Sequence, residues 1–201
     1  MESTIDQNCP ICHSEAGLKL IVHSSEIPYF GEHTEMTLVC DSCGWRHTDF
    51  IPAEGKKASA WSMKISERDH LNIRVVRSSS CTVRIVELGL EVEPGDNATG
   101  YISNIEGVLN RFEDAIGIIL RSAMLEGEEG IDTISACQEL ISKLNLIKNG
   151  EEVTEIVLLD PMGHSQILHE NAKNWDLSDE EISSLEVGPQ IPIMDSSDLT
   201  E

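Results

Sequence analysis

The sequence is poor in aromatic residues and in positive charge, and it contains no long apolar run. Aromatic side chains make up only 4 % of the 201 residues, and 14 Lys and Arg stand against 36 Asp and Glu. No apolar stretch approaches the roughly 18 residues of a membrane-spanning helix, so an integral membrane protein of the helical class is excluded. The N-terminal segment also lacks the basic region and apolar core of a signal peptide, and we therefore expect a cytoplasmic protein.

The shortage of positive charge is concentrated in the second part of the chain. Up to Arg84 there are 9 basic and 11 acidic residues, whereas from Ile85 onward there are 5 basic and 25 acidic ones. Non-specific binding to duplex nucleic acid depends on Lys and Arg that neutralise phosphates, so the second part would repel it. The acidity suits a basic protein partner; solubility or adaptation to a salty cytoplasm is the alternative explanation.

Four of the six cysteines form two matched pairs. Cys9 and Cys12 make the first Cys-x-x-Cys, and Cys40 and Cys43 make the second, with 27 residues between the pairs. Two thiolates three residues apart on a tight turn can face one ion, and two such turns complete a tetrahedron of sulfur ligands. The sequence therefore predicts one zinc ion whose role is structural, because four thiolates leave no open coordination position.

The remaining metal-binding side chains are not needed for this site. Four histidines lie near the cysteine pairs, and each is an alternative ligand that four cysteines make unnecessary: His13, His23, His33 and His47. Cys81 lies in a strand pattern and Cys137 in a helical stripe, so we expect both to be buried as small apolar side chains.

The spacing of apolar residues changes twice along the chain. Short strands are predicted at 18–22, 36–40 and 48–51, and a polar linker at 53–59. Further strands with period-two alternation are predicted at 61–65, 72–76 and 82–92, and again at 155–160 and 166–169. Between these two groups the apolar period becomes helical.

The helical part predicts a hairpin of two amphipathic helices over residues 103–149. Ser103 and Glu106 match a capping box, and the first apolar stripe runs from Ile105 through Ile119 to Ala123. Asp132 is the predicted cap of the second helix, which Asn149-Gly150 ends. Ser178 and Glu181 form another capping box that predicts a short helix in the acidic tail.

These elements predict an α+β protein with two domains and a tail. Residues 1–52 form a four-Cys zinc finger, and residues 53–175 form a β domain into which the helical hairpin is inserted. Residues 176–201 are an acidic tail that we expect to be partly disordered.

A turn near residue 160 brings Asp160, His164 and Ser165 together in sequence. A nucleophile–base–acid relay needs a specific spatial arrangement, which closeness in sequence does not supply. Asp-Pro and Gly are explained by turn formation alone, and we predict that the protein is not an enzyme.

The segment Ile27-Pro28-Tyr29-Phe30 is apolar although it lies between the cysteine pairs. One hypothesis is that it packs the finger onto the β domain. The other is that Tyr29 and Phe30, together with Trp45, contact a partner protein, since clustered aromatic side chains are frequent binding anchors.

Several motifs, taken in order, resemble the ZPR-type zinc-finger family over residues 9–170. They are CPIC, IPYFGE, CDSCGWR, the serine-bearing stretch IRVVRSSSCTVRIVELGLEVEPG, then GYISNIEGVL and LLDPMGHSQI. The resemblance implies a four-Cys zinc ribbon followed by a β domain of the double-stranded β-helix or jelly-roll type with a helical hairpin. Eukaryotic members carry this unit twice, and this chain has one set of paired cysteines.

The resemblance also implies a function. Eukaryotic members bind and help to fold translation elongation factor one alpha, so the expected activity is that of a protein-binding chaperone. The alternative is a nucleic-acid-binding zinc ribbon, for which four arginines near the finger would form a basic strip: Arg68, Arg74, Arg77 and Arg84.

Overall fold

The computed structural model describes residues 1–27, 31–52 and 57–188. Within these ranges the chain forms an N-terminal four-stranded sheet, then a β domain of two sheets that carries a helical hairpin. The predicted linker lies partly outside the described residues, as does the part of the tail that we expected to be disordered. None of the helices in the described ranges has the length and apolar character needed to cross a membrane.

The N-terminal sheet is an antiparallel meander. Its strands are β1 (Glu2–Ile5), β2 (Leu18–Ile27), β3 (Gly31–Val39) and β4 (Arg46–Pro52), in that spatial order. The first cysteine pair follows β1 and the second follows β3. The apolar core is small, and besides two of the cysteines it contains Ile5, Leu18, Leu20 and Leu38. A core of this size contributes little stability, so we expect the sheet to depend on a metal ion held by the cysteines.

The β domain consists of two facing sheets. Its strands are β5 (Ser59–Ile65), β6 (Arg74–Arg77), β7 (Thr82–Ile85), β8 (Leu90–Val92), β9 (Tyr101–Asn104), β10 (Thr154–Asp160), β11 (Gln166–Leu168) and β12 (Lys173–Asp176). One sheet has the order β12-β5-β10-β7-β8 and the other the order β11-β6-β9, and neighbouring strands are antiparallel. Side chains from both sheets fill a common core.

The helical hairpin lies between β9 and β10, as the change of period predicted. It consists of α1 (Ile105–Leu125) and α2 (Ile131–Asn149), and a short α3 (Asp179–Ser184) follows the last strand. The near half of the hairpin enters the core of the β domain through these residues: Ile105, Val108, Leu109, Phe112, Ile116, Cys137, Leu144 and Ile147. Burial of Cys81 and Cys137 agrees with the prediction.

Two predicted helix caps were wrong, the first by one residue and the second by two. Asn104, not Ser103, caps α1, because the Asn104 side chain accepts a hydrogen bond from the Gly107 N–H at 2.9 Å. The second helix begins before Asp132, and it has no side-chain cap because a 3₁₀ turn at Gly127–Gly130 leads directly into it. The predicted end at Gly150 and the capping box of α3 are both present.

The run predicted as one strand over residues 82–92 is folded back on itself. A 3₁₀ turn over Val86–Leu88 ends β7, and Gly89 takes a left-handed conformation with φ of +60°. Strand β8 then pairs antiparallel with β7, so that Val83 lies opposite Val92. Val86 and Val92 are therefore exposed. The period-two alternation had placed both of them on the same face of one continuous strand.

Candidate metal centre

The fold brings the four cysteines of the two pairs into one cluster. All four Sγ atoms lie within 4.8 Å of one another, and the Cys9–Cys43 and Cys12–Cys40 Sγ distances are both 3.7 Å. A tetrahedral zinc ion with Zn–S bonds of about 2.3 Å separates its sulfur ligands by about 3.8 Å. The cluster therefore fits one zinc ion, and it is the one group of three or more potential metal ligands among the described residues.

The two cysteine turns have the same local structure. In the first, the N–H of His13 donates to the carbonyl of Cys9 at 2.9 Å; in the second, the N–H of Gly44 donates to the carbonyl of Cys40 at 2.8 Å. His13 and Gly44 each follow the first cysteine of their pair by four residues, and both have positive φ, +55° and +77°. Gly adopts this conformation without strain, whereas His13 adopts it at some cost.

The cluster has a buried side and an exposed side. Cys9 and Cys40 are buried in the core of the sheet, while Cys12 and Cys43 are exposed. Hydrogen bonds from the backbone N–H groups of Cys43 and Ser42 lower the pKa of Cys40 to about 6, which favours its thiolate at neutral pH. A bound zinc ion would cross-link the two turns through four sulfurs and leave no position for a substrate.

The histidines lie outside this cluster. His33 and His47 are buried on strands β3 and β4, and His47 stacks on Trp45 with ring centroids 6.0 Å apart and an angle of 7° between the rings. Burial lowers the pKa of His47, while the charge of Asp49 opposes this shift. His47 is therefore neutral in the folded protein at physiological pH.

Strand β4 joins the metal-binding sheet to the β domain by polar contacts. The indole N–H of Trp45 donates to Asn97 at 3.3 Å, and the Gly100 N–H donates to the Thr48 carbonyl at 2.8 Å. Gly100 is required here, because a Cβ at this position would lie 2.7 Å from a carboxylate oxygen of Asp49. Trp45 thus lies at the junction, and its predicted contact with a partner stays a prediction.

A buried carboxylate, that of Asp160, binds the loop between β6 and β7, which faces this junction. Asp160 accepts hydrogen bonds from the hydroxyls of Ser78, Ser80 and Ser165 at 2.8, 2.8 and 2.6 Å, and from the Met162 N–H at 2.9 Å. Asp160 is fully buried. The bonds of Ser165 go to Asp160 and Ser78, and none described involves a histidine.

This cluster had no counterpart among the predicted sites. Ser165 belongs to the same turn as Asp160, five residues away, but Ser78 and Ser80 are about 80 residues from it in the chain. No local pattern links Ser78 and Ser80 to Asp160, because this pairing depends on how distant parts of the β domain meet. The turn at Asp160 therefore has a structural role in this fold.

The arginines expected to form a basic strip are not presented together. Arg77 is buried and donates to the carbonyls of Cys81 and Thr99. Arg84 forms an ion pair with Glu91. Of the four arginines, Arg68 and Arg74 are exposed and take part in none of these contacts. The structure therefore gives no support to the nucleic-acid alternative.

Comparison with known proteins assigns both domains. Residues 3–57 match the ZPR1 zinc-finger domain, and residues 69–185 match the ZPR1 jelly-roll domain. A ZPR1-like protein of Methanocaldococcus jannaschii is 40 % identical over 195 residues, which cover 97 % of this chain and 95 % of the relative. A ZPR1-like protein of Pyrococcus horikoshii is 38 % identical over 186 residues, covering 92 % of this chain and 82 % of the relative.

A eukaryotic relative matches over less of its own length. The Schizosaccharomyces pombe protein named zinc finger chaperone zpr1 is 26 % identical over 180 residues, which cover 86 % of this chain but 37 % of that protein. The predicted resemblance and the predicted fold, a four-Cys zinc ribbon followed by a jelly-roll domain with a helical hairpin, are thus confirmed. The four-Cys cluster lies in the domain that matches the zinc finger and is positioned to hold its zinc ion, and the chain belongs to the ZPR1 family.

Proposed function

We propose that this protein is a zinc-stabilised protein-binding module that serves as a chaperone or binding cofactor for translation elongation factor one alpha in the cytoplasm. The observation that carries the proposal is the match of both domains to one family, of which a eukaryotic member is named a zinc finger chaperone. The closed four-Cys site supports binding and not catalysis, because it offers no coordination position to a substrate.

The shape of the ribbon supports a role in recognition. Strands β2 and β3 pair over nine positions, from Lys19–Val39 to Ile27–Gly31, whereas β1 and the preceding Met1 cover the other edge of β2 only up to Val22. The far part of β2 therefore has a free edge among the described strands, and the residues of this part are exposed from His23 to Glu26. Free edges are common sites of attachment for another chain.

The partner-binding residues in this proposal are Tyr29, Phe30 and Trp45. Tyr29 and Phe30 lie outside the described residues, between the strands that form this long hairpin. Trp45 directly precedes β4, at the junction with the β domain. Aromatic side chains at such positions supply contact area at a small cost in conformational entropy.

The proposal is tested by direct binding to the purified elongation factor. Zinc-loaded protein and GDP-bound elongation factor one alpha are mixed at low salt, and complex formation is measured by calorimetry and gel filtration. We expect a one-to-one complex that the double variant Tyr29→Ser/Phe30→Ser weakens at least tenfold while its melting temperature stays unchanged.

Two results would argue otherwise. A lower melting temperature with unchanged affinity would mean that these aromatic residues pack the ribbon onto the β domain. The absence of any complex with the zinc-loaded wild-type protein would overturn the proposed client.

A further inference from the structure

We propose that a cavity between strands β7 to β9 and the first three turns of α1 binds a small organic carboxylate with an apolar body. We call it the arginine cavity, after Arg77 and Arg111 in its lining. The site differs from the protein-binding surface proposed above, because its size fits a small molecule. Its test is therefore independent of the proposed client.

The arginine cavity combines a few polar groups with apolar walls. Its volume is about 260 Å³, and its polar side chains are those of Arg77, Glu93, Tyr101 and Arg111. The other side chains in the lining are apolar: Val83, Val92, Ala98, Val108, Phe112 and Ala115. One water occupies about 30 Å³ in the liquid, so the cavity has room for roughly nine non-hydrogen atoms. Apolar walls with a few convergent polar groups are the usual composition of a small-molecule site.

Arg77 places a buried positive charge at this cavity. Its Nε and Nη2 atoms donate to the carbonyl of Cys81 at 3.0 and 2.6 Å, and its Nη1 atom donates to the carbonyl of Thr99 at 3.2 Å. These bonds use three of the five guanidinium N–H groups and leave one on each terminal nitrogen. Arg77 is only 6 % exposed, and no ion pair among the described residues includes it. Because a buried charge without a counter-ion is unfavourable, binding of an anion beside it is favoured.

Arg111 brings a second guanidinium group to the same place. The Cζ atoms of Arg111 and Arg77 lie 3.9 and 5.8 Å from the centroid of the Tyr101 ring. Arg111 is held there by a hydrogen bond from its Nη1 atom to the carbonyl of Gly107 at 2.8 Å, and it too is absent from the ion pairs of the described residues. Attraction to the ring explains one cation at this position, but two cations near one ring repel each other. An anion that contacts both would remove this repulsion.

Tyr101 adds a neutral donor between the two cations. Burial raises the pKa of Tyr101, while the charges of Arg77 and Arg111 oppose this shift. The phenol therefore keeps its proton at neutral pH, and its hydroxyl has no hydrogen-bond partner among the described residues. It is available to donate to a carboxylate oxygen.

The charge around the cavity favours a ligand with one negative charge. Glu93 is the one acidic residue among the described residues of the lining, where it is exposed and forms no ion pair with either arginine. Together with the net charge of −22, it would oppose a doubly charged phosphate more strongly than a monocarboxylate. The planar guanidinium group matches the geometry of a carboxylate, and the apolar walls would bury an attached hydrocarbon body.

The test measures binding of two matched pairs of small molecules to the full zinc-loaded chain by calorimetry. Phenylacetate and 4-methylpentanoate each combine one carboxylate with an apolar body of suitable size, and phenylacetamide and 4-methylpentanamide are their uncharged twins. We expect the two acids to bind with dissociation constants below about 1 mM. The amides should bind at least about tenfold more weakly, because they lose the charge-assisted hydrogen bonds to the arginines.

Acetate and inorganic phosphate test the apolar part of the proposal. Both carry negative charge without an apolar body, so each should bind at least about tenfold more weakly than phenylacetate. The backbone amide signals of Tyr101 and Arg111 should shift when phenylacetate is added, while those of the zinc ribbon distant from the cavity stay unchanged.

Two single variants test the charges directly. Arg111→Met removes the exposed charge but keeps an apolar side chain of similar length, and we expect at least about tenfold weaker binding of phenylacetate at an unchanged melting temperature. The matched control is Arg121→Met, which alters an exposed arginine of α1 outside the cavity lining and should leave the affinity unchanged. Glu93→Gln should strengthen binding about threefold, because it removes a negative charge from the lining.

Several results would overturn the inference. Equal affinity for each acid and its amide would show that the arginines do not recognise the carboxylate. Unchanged phenylacetate affinity in Arg111→Met, or weaker binding in Glu93→Gln, would mean that the anion binds elsewhere. Absence of saturable binding of either acid up to about 10 mM would show that the cavity holds no such ligand. If Arg111→Met lowers the melting temperature, the sign of the Glu93→Gln effect decides.

Discussion

The carboxylate of Asp49 on strand β4 accepts two hydrogen bonds from Ser79 on the β domain, from its N–H at 2.9 Å and from its hydroxyl at 2.6 Å. Both residues are buried. This pair joins the zinc ribbon to the jelly roll and so helps to fix the relative orientation of the two domains.

Replacing Asp49 should loosen this junction. Asp49→Ala removes both acceptors and leaves the buried N–H of Ser79 without its partner, so we expect unfolding to become easier by about 2–3 kcal/mol. Urea denaturation measures the loss. Asp6→Ala, at an exposed position, should change the stability little, and an equally small loss for Asp49→Ala would show that the junction does not depend on this contact.

Removing the Asp160 carboxylate should lower the unfolding free energy of the β domain more than a substitution at the surface does. Asp160→Ala deprives three buried hydroxyls and one N–H of their acceptor, and we expect a loss of about 3–5 kcal/mol. Asp160→Asn keeps the shape but turns an N–H₂ group towards hydroxyl donors, so its loss should be intermediate. Thermal and urea unfolding of the three proteins give the order, and equal stability of all three would contradict the assigned role.

Zinc removal should unfold the ribbon and leave the β domain folded. The ribbon core has few apolar residues, so the metal supplies its stability, whereas the β domain has its own core. We expect one zinc per chain by elemental analysis, and a chelator should abolish the amide signals of β1–β4 while those of the jelly roll persist. Cys9→Ser should have the same effect, and Cys137→Ala should retain the metal.

The reactivity of the thiols tests independently whether the β domain stays folded after zinc removal. Burial raises the pKa of Cys81 to about 12, and the nearby charge of Asp160 adds to this shift. Cys81 should therefore resist a thiol reagent in the folded β domain even after chelation, while the zinc ligands become reactive. Rapid reaction of Cys81 after chelation would show that the β domain unfolds together with the ribbon.

His47 should make stability depend on pH. Its folded pKa is lowered from an ordinary value of 6.5 because the buried ring loses hydration as it gains charge. The unfolded state then binds the proton more readily, so this contribution is complete above about pH 6.5 and is lost as the pH falls below that value. His47→Phe should flatten the profile of unfolding free energy between about pH 5 and 7. Identical pH slopes in the two proteins would exclude His47 as the source.

Local patterns were sufficient for the metal site and for most elements. The spacing of the cysteine pairs predicted one tetrahedral zinc, since two tight turns with paired thiolates need no other information. The change from period two to a helical period located the hairpin, and Gly150 marked its end. Helix starts were less secure, because neighbouring Ser103 and Asn104 both fit the N-cap position.

Other features depended on partners distant in sequence. Alternation in residues 82–92 suited a continuous strand, but the left-handed Gly89 allowed a reversal that pairing between β7 and β8 then stabilised. Arg77 looked like part of a basic strip, yet the fold buries it against the carbonyls of Cys81 and Thr99. Neither outcome can be read from a window of neighbouring residues.

The sequence by itself determined the zinc ligands, the order of ribbon, β domain and hairpin, and the family, because these follow from spacing, periodicity and ordered motifs. Only the tertiary structure decided that Ser78, Ser80 and Ser165 share the buried carboxylate of Asp160, and that Asp49 joins the two domains. It also decided that Ile118 and Leu125 are left uncovered. The physical reason is that burial and long-range hydrogen bonds depend on which surfaces meet, and residues far apart in the chain meet only in the folded protein.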